Sequence, residues 1–193
     1  MNEKNKEKIT IVLFSIVLLM FLLLLSYKLV LFFTPLTDAQ KNVFLFLDGK
    51  QKLSTSFTAA EVSHLEDVKQ VMKYADYMFY ILLLGFTLTI IFYRKKKDFL
   101  LNLLHLGGKV TFAVMILLGA FSLIFFDALF AMFHRIFFPQ GNWLFAADSK
   151  IIQTFPLDFF ISLSRNIFLL TLFLGILFIL LGYYFKDVDS DRN

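Results

Sequence analysis

The chain has 193 residues, the size of one domain, and 59% of them are hydrophobic, with 27 phenylalanines among them. With a mean hydropathy of +0.73, a soluble fold of this size has too little interior to hide these side chains, so lipid must solvate many of them. The net charge of +4 does not point to nucleic acid, because the basic residues flank apolar runs, and the absence of cysteine excludes disulfides, thiolate metal sites and a cysteine nucleophile.

The first apolar run, Ile9–Phe33, is long enough to cross a bilayer and follows Lys4, Lys6 and Lys8. It begins like a signal peptide, but its length and the lack of a small-residue cleavage site mark it as a retained anchor. The second run is Tyr74–Tyr93, closed by Arg94-Lys95-Lys96-Lys97, and the third is Val110–Phe133, after Gly107-Gly108-Lys109. The fourth, Phe159–Phe185, precedes Lys186 and a polar, acidic tail. With alternating spans, all these basic clusters share one side, which the positive-inside rule makes the cytoplasm, with both termini there. The short segment Asp98–Leu106, with His105, is expected along the inner interface.

Two longer loops, residues 34–73 and 134–158, fall outside. Val43-Phe44-Leu45-Phe46-Leu47, Asp48-Gly49 and Lys50-Gln51-Lys52-Leu53 predict a β-hairpin with a tight turn. Thr58-Ala59-Ala60-Glu61 is a capping box, predicting an amphipathic helix to about Met72 with Val62, Leu65, Val68 and Met72 on one face. Asn142-Trp143-Leu144-Phe145 suits a strand on the hairpin edge. The expected fold is a mainly α membrane protein, residues 1–193 forming one integral domain. It has four transmembrane helices and a small extracellular cap, a short β-hairpin plus an amphipathic helix.

Of the three histidines, two fall on the outer side. His64 lies three residues from both Glu61 and Asp67, so a carboxylate on the same helical face can orient or charge its imidazole. Spacing alone favours a solvated surface histidine. His134 ends the third span beside Arg135 and reads alone as an interfacial anchor. Topology nevertheless brings both to one boundary. Asp127 and Arg165, with Asn166, lie about two turns inside the bilayer, and an Asp127–Arg165 pair would lock helices or shape a site. Asp76 and Tyr77 at the start of the second span admit the same two readings, and an aromatic belt accounts for most of Phe137, Phe138, Trp143 and Phe145. No HExxH, GxSxG, P-loop or dinucleotide glycine pattern occurs, and two distant histidines are a weak zinc signal.

Read together, His64-Leu65-Glu66-Asp67-Val68-Lys69 and Phe133-His134-Arg135-Ile136-Phe137-Phe138 carry a resemblance. It continues through Gly141-Asn142-Trp143-Leu144-Phe145 to Phe155-Pro156-Leu157-Asp158-Phe159-Phe160. The chain resembles the bacterial lipoprotein intramolecular transacylases of Gram-positive bacteria over nearly its whole length. The resemblance implies an acyltransferase that moves the sn-2 acyl chain of an S-diacylglyceryl cysteine to that cysteine's α-amine, giving the lyso-form lipoprotein. It implies His64 and His134 as catalytic residues at the extracellular face of the cell membrane. The implied partners are the modified lipoprotein N-terminus and membrane lipid. No cofactor, metal or nucleic acid is expected. Asp67, Arg135, Asn142 and Trp143 are expected to orient or support the histidines, with Arg135, Asn142 or backbone amides facing the oxyanion. A metal-dependent membrane hydrolase or phosphatase, or a non-enzymatic accessory or sensor protein, is the alternative.

Overall fold

The computed structural model describes residues 2–53 and 56–190, with side chains through residue 185, so the end of the acidic tail lies outside the described residues. Its elements in chain order are α1 (Glu3–Phe33), α2 (Asp38–Leu47), α3 (Ala59–Tyr93), α4 (Lys97–Phe137), α5 (Lys150–Thr154) and α6 (Leu157–Ser190). Helices α1, α3, α4 and α6 are long and apolar enough to cross a membrane. This is a multi-pass membrane protein.

Helix α1 packs against the other three long helices, and its Phe14, Leu18, Phe21 and Leu22 form a buried cluster with Leu103 of α4. In a bilayer, apolar burial does little to bring helices together, and close backbone approach does more. The α4–α6 seam is built that way. A Cβ on Gly108 would lie 2.8 Å from the Gly175 carbonyl oxygen, and one on Gly182 would lie 2.6 Å from that of Leu101. His105 sits in this seam, its Nδ1–H donating to the Ile179 carbonyl at 3.1 Å. The segment expected along the inner interface thus forms the first turns of helix α4. Lys28 of α1 pairs with Asp76 of α3 and lies over the Phe79 ring, 5.3 Å from its centroid, which gives Asp76 a structural partner.

The cap differs from expectation in one respect. No strand occurs among the described residues, and the expected hairpin is instead helix α2 and its C-terminal turn. Thr37 and Gln40 form a capping box that starts the helix. Gln40, Val43 and Leu47 then fall on one buried face at helical spacing. Asp48-Gly49 closes the helix: Lys50 N–H donates to the Leu45 carbonyl at 2.8 Å and Gly49 N–H to that of Phe46 at 2.9 Å. That is a Schellman stop, and the φ of +73° at Gly49 serves it as it would serve a hairpin turn. Asn142–Phe145 accordingly has no strand edge to join and runs as turn and coil.

The second capping box, Thr58–Glu61, forms as expected, but its helix continues through the whole second span. Residues 59–73 carry Glu61, His64, Glu66, Asp67 and Lys69 and stand beyond the apolar stretch Tyr74–Tyr93. The two boxes also share a task, because each holds one end of α5. Glu61 Oε1 accepts the Ile151 N–H at 2.9 Å, and Gln40 Nε2 donates to the Thr154 carbonyl at 3.0 Å. Both are groups a helix end leaves unpaired. Burial pushes the Glu61 carboxyl up, but hydrogen bonds from Thr58, Ile151 and Lys150 outweigh it and hold the group below its ordinary value. Around this clamp Val43, Leu47, Leu65, Ile151 and Phe155 make the cap's own core, each contributing about 1.5–3 kcal/mol on full burial.

Candidate active site where the cap meets the bundle

His64 is presented by the cap-side turns of α3 and His134 by the last turns of α4, above a break in helical geometry at Phe125 (φ −125°, ψ 31°). The two imidazoles face each other with ring centroids 6.3 Å apart and planes inclined by 24°. Phe138 and Phe145 pack on His64 at 4.8 and 5.6 Å, and Phe130 and Trp143 on His134 at 4.2 and 4.9 Å. His64 is only 7% exposed. Such an aromatic lining limits the access of water to the rings.

The partner of His134 settles its tautomer. Its Nδ1 lies 2.8 Å from the Phe130 carbonyl, which can only accept, so Nδ1 carries the proton and Nε2 the lone pair. His64 Nδ1 has no hydrogen-bond partner among the described residues. Burial pushes the His64 pKa down to about 4; neighbouring His134 adds to this, while Asp67 and Asn142 oppose it. His64 is therefore neutral at pH 7.

The turn after α4 completes the site. Phe138 N–H donates to the His134 carbonyl and Gly141 N–H to that of Phe138, ending the helix before Pro139 and reversing the chain. Gly141 has φ +78°, and Gln140 and Asn142 on either side of it both reach Asp67. Each amide nitrogen donates to Asp67 Oδ2 at 2.6 Å.

Residues 39–160 match the family described as lipoprotein intramolecular transacylase Lit. The chain belongs to the lipoprotein intramolecular transacylase family. Three in meso structures of the family member from Bacillus cereus resemble it over nearly the whole of both chains. One, at 20% identity, covers 98% of this chain and 99% of that one with a TM-score of 0.80. The other two carry one histidine replaced by arginine or by alanine, with TM-scores of 0.80 and 0.79. An uncharacterized protein of Aquifex aeolicus (strain VF5) is 24% identical over 127 residues, 66% of this chain, which spans 56% of that relative's length.

Among the residues singled out in this transacylase family member, the fold brings together His64, His134, Asp67, Asn142 and Trp143. Asp67 forms its hydrogen bonds with Gln140 and Asn142 rather than with His64, because α3 turns the two side chains toward different neighbours. Asn142 spends its amino group on Asp67 and Ser63, so it has no donor left for an oxyanion. Arg135 is exposed, with no ion pair among the described residues. Asp127 and Arg165 are exposed and do not pair, which corrects the expected intramembrane bridge. No group of three or more His, Asp or Glu side chains arranged to hold a metal occurs among the described residues. Sequence reading missed Gln140 and Phe130. The Pro139-Gln140-Gly141-Asn142 string signals a turn with flanking amides, whereas Phe130 acts through its backbone, which no side-chain pattern reports.

Proposed function

We propose that this protein transfers the sn-2 acyl chain of a diacylglyceryl-modified lipoprotein to the α-amine of the same N-terminal cysteine, with His64 and His134 as the catalytic pair. The supporting observation is the facing of two imidazoles, 6.3 Å between centroids, in an aromatic lining where the cap meets the bundle. Family membership supports the reaction class. The substrate is the modified N-terminus held in membrane lipid. The flanking lysines and arginines support a reading with both termini in the cytoplasm and the site on the extracellular face of a bacterial cell membrane.

A free α-amine has a pKa of about 8 and is largely protonated at neutral pH, so it needs a base. A neutral imidazole takes the amine proton as nitrogen attacks the acyl carbon. The N–C bond forms, the ester C–O bond breaks, and the proton lost by the amine ends on the sn-2 glyceryl oxygen. One imidazole serves the nitrogen and the other the departing oxygen. His134, whose Nδ1 is engaged by the Phe130 carbonyl so that Nε2 keeps its lone pair, suits the first duty at the bilayer boundary where an sn-2 ester lies. Direct attack closes a ring of about eight atoms, so holding the folded geometry is the main catalytic task. The aromatic lining supplies the confinement and keeps water from competing for the ester.

The test is expression in a host whose lipoproteins are diacylated, followed by tandem mass spectrometry of their N-termini. N-acyl, S-monoacylglyceryl cysteine is expected, and it should survive exhaustive chelation. Diacylglyceryl cysteine with an unchanged free amine would overturn the reading.

A further inference from the structure

The Asn142 amide is the polar group beside His64 whose two ends have unequal fates. Its amino group donates to Asp67 Oδ2 at 2.6 Å and Ser63 Oγ at 3.3 Å. A carboxylate accepts and does not donate, so Asp67 fixes which end of the amide turns toward it. The carbonyl oxygen is left at the other end, buried and without a hydrogen-bond partner among the described residues. His64 Nδ1 is in the same condition. These two buried atoms are complementary, since the imidazole nitrogen can carry a proton and the carbonyl can only accept one. Asn142 is also among the neighbours that oppose the lowering of the His64 pKa by burial. Leaving both buried atoms unpaired is costly, and pairing avoids that cost.

We infer that Asn142 is a positioning residue for His64: its carbonyl oxygen, aimed by Asp67 and the Gly141 turn, holds the imidazole proton on Nδ1 and leaves the lone pair on Nε2. Gln140 helps to hold Asp67 in place, its amide sharing the same oxygen at 2.6 Å. The Phe130 carbonyl does for His134 what Asn142 does for His64. Both rings then offer Nε2. A carboxylate thus acts on His64 at one remove, polarising an amide whose oxygen becomes the better acceptor. The helix spacing of His64 and Asp67 supplies the relation, and the loop after α4 supplies the link. The role rests on reading His64 as a proton-transfer group, but its first test does not.

The full chain, labelled with 15N-histidine and held in lipid nanodiscs at pH 7, reports the tautomer directly, with His64 assigned by its loss in His64→Gln. A protonated, pyrrole-type Nδ1 and an unprotonated Nε2 are expected. Asn142→Ala should move the proton toward Nε2, which a neutral imidazole in water prefers, and lower lyso-lipoprotein formation about tenfold to a hundredfold. Asp67→Ala should shift the nitrogens in the same sense, and Asn142→Gln should restore part of both signals. A wild-type His64 protonated on Nε2 would overturn the inference with no variant needed. So would an unchanged nitrogen pattern in a folded Asn142→Ala protein, however much activity it had lost. The expected pattern in a protein that transfers no acyl chain would instead leave the positioning role standing and overturn the proposed reaction.

Discussion

At the scale of single residues, the burial of His64 sets how the molecule meets acid. Its folded pKa of about 4 lies below the ordinary 6.5. Above 6.5 the folded and unfolded chains both carry the neutral ring, and the stability linked to it is fully present. Between the two values only the unfolded chain binds the proton, so stability falls with pH and is lost through about 4. Thermal unfolding in detergent from pH 7 to pH 4 should therefore show a smaller loss for His64→Gln than for the wild type; parallel curves would contradict this. The same neutrality means that no activity limb near 6.5 belongs to His64. Exchanging either histidine for glutamine should lower lyso-lipoprotein formation by about 10²–10⁴-fold. On the proposed reaction the rings act as a unit, so the double variant should be far less impaired than the product of the two. Sequence spacing made His64 and Asp67 neighbours on α3. It could not reveal that Asn142, 75 positions beyond Asp67, lies between them in function.

Secondary-structure elements show where local reading succeeds and where it stops. The Thr58–Glu61 box was legible because a threonine and a glutamate at that spacing have one common use. The Thr37–Gln40 box stood in competition with alternating apolar residues and Asp-Gly, which favour a hairpin. Helix α2 won because Gln40, Val43 and Leu47 have α3 and α5 to pack on, and two bare strands had no sheet. Glu61 gives the sharpest test at this scale. Glu61→Ala strips acceptors from Thr58 and Ile151 inside the cap and should cost about 3 kcal/mol, with Glu61→Gln losing less. Gln40→Ala removes two bonds, one from the Thr37 N–H and one to the Thr154 carbonyl, and should cost about 2 kcal/mol. Melting temperatures of the purified variants check the order, and a Gln40→Ala loss equal to that of Glu61→Ala would contradict it.

For the whole molecule, hydropathy and the lysine clusters conveyed four spans, because bilayer thickness leaves few other uses for such runs. They conveyed nothing of the α4–α6 seam, where backbones meet at Gly108 and Gly182. Gly182→Val should destabilise the protein by about 1–3 kcal/mol or more and lower transfer, although the site lies at the other end of the bundle. Valine at Gly141, which has open space around it, should act through backbone strain alone and disturb only the Gln140–Asn142 turn. Disulfide trapping between cysteines placed across the seam would separate the two effects. The clamp on α5 has a further consequence, for timing. Both histidines leave the ribosome before Ile151 and Thr154 do, so a nascent chain already holds both imidazoles while the parts of the cap are still untied. Only when Glu61 and Gln40 close on a segment made 90 and 114 positions later does the cap become one piece. The cap is thus completed late in synthesis, and a chain stopped before residue 149, which also lacks α6, should form no lyso-lipoprotein.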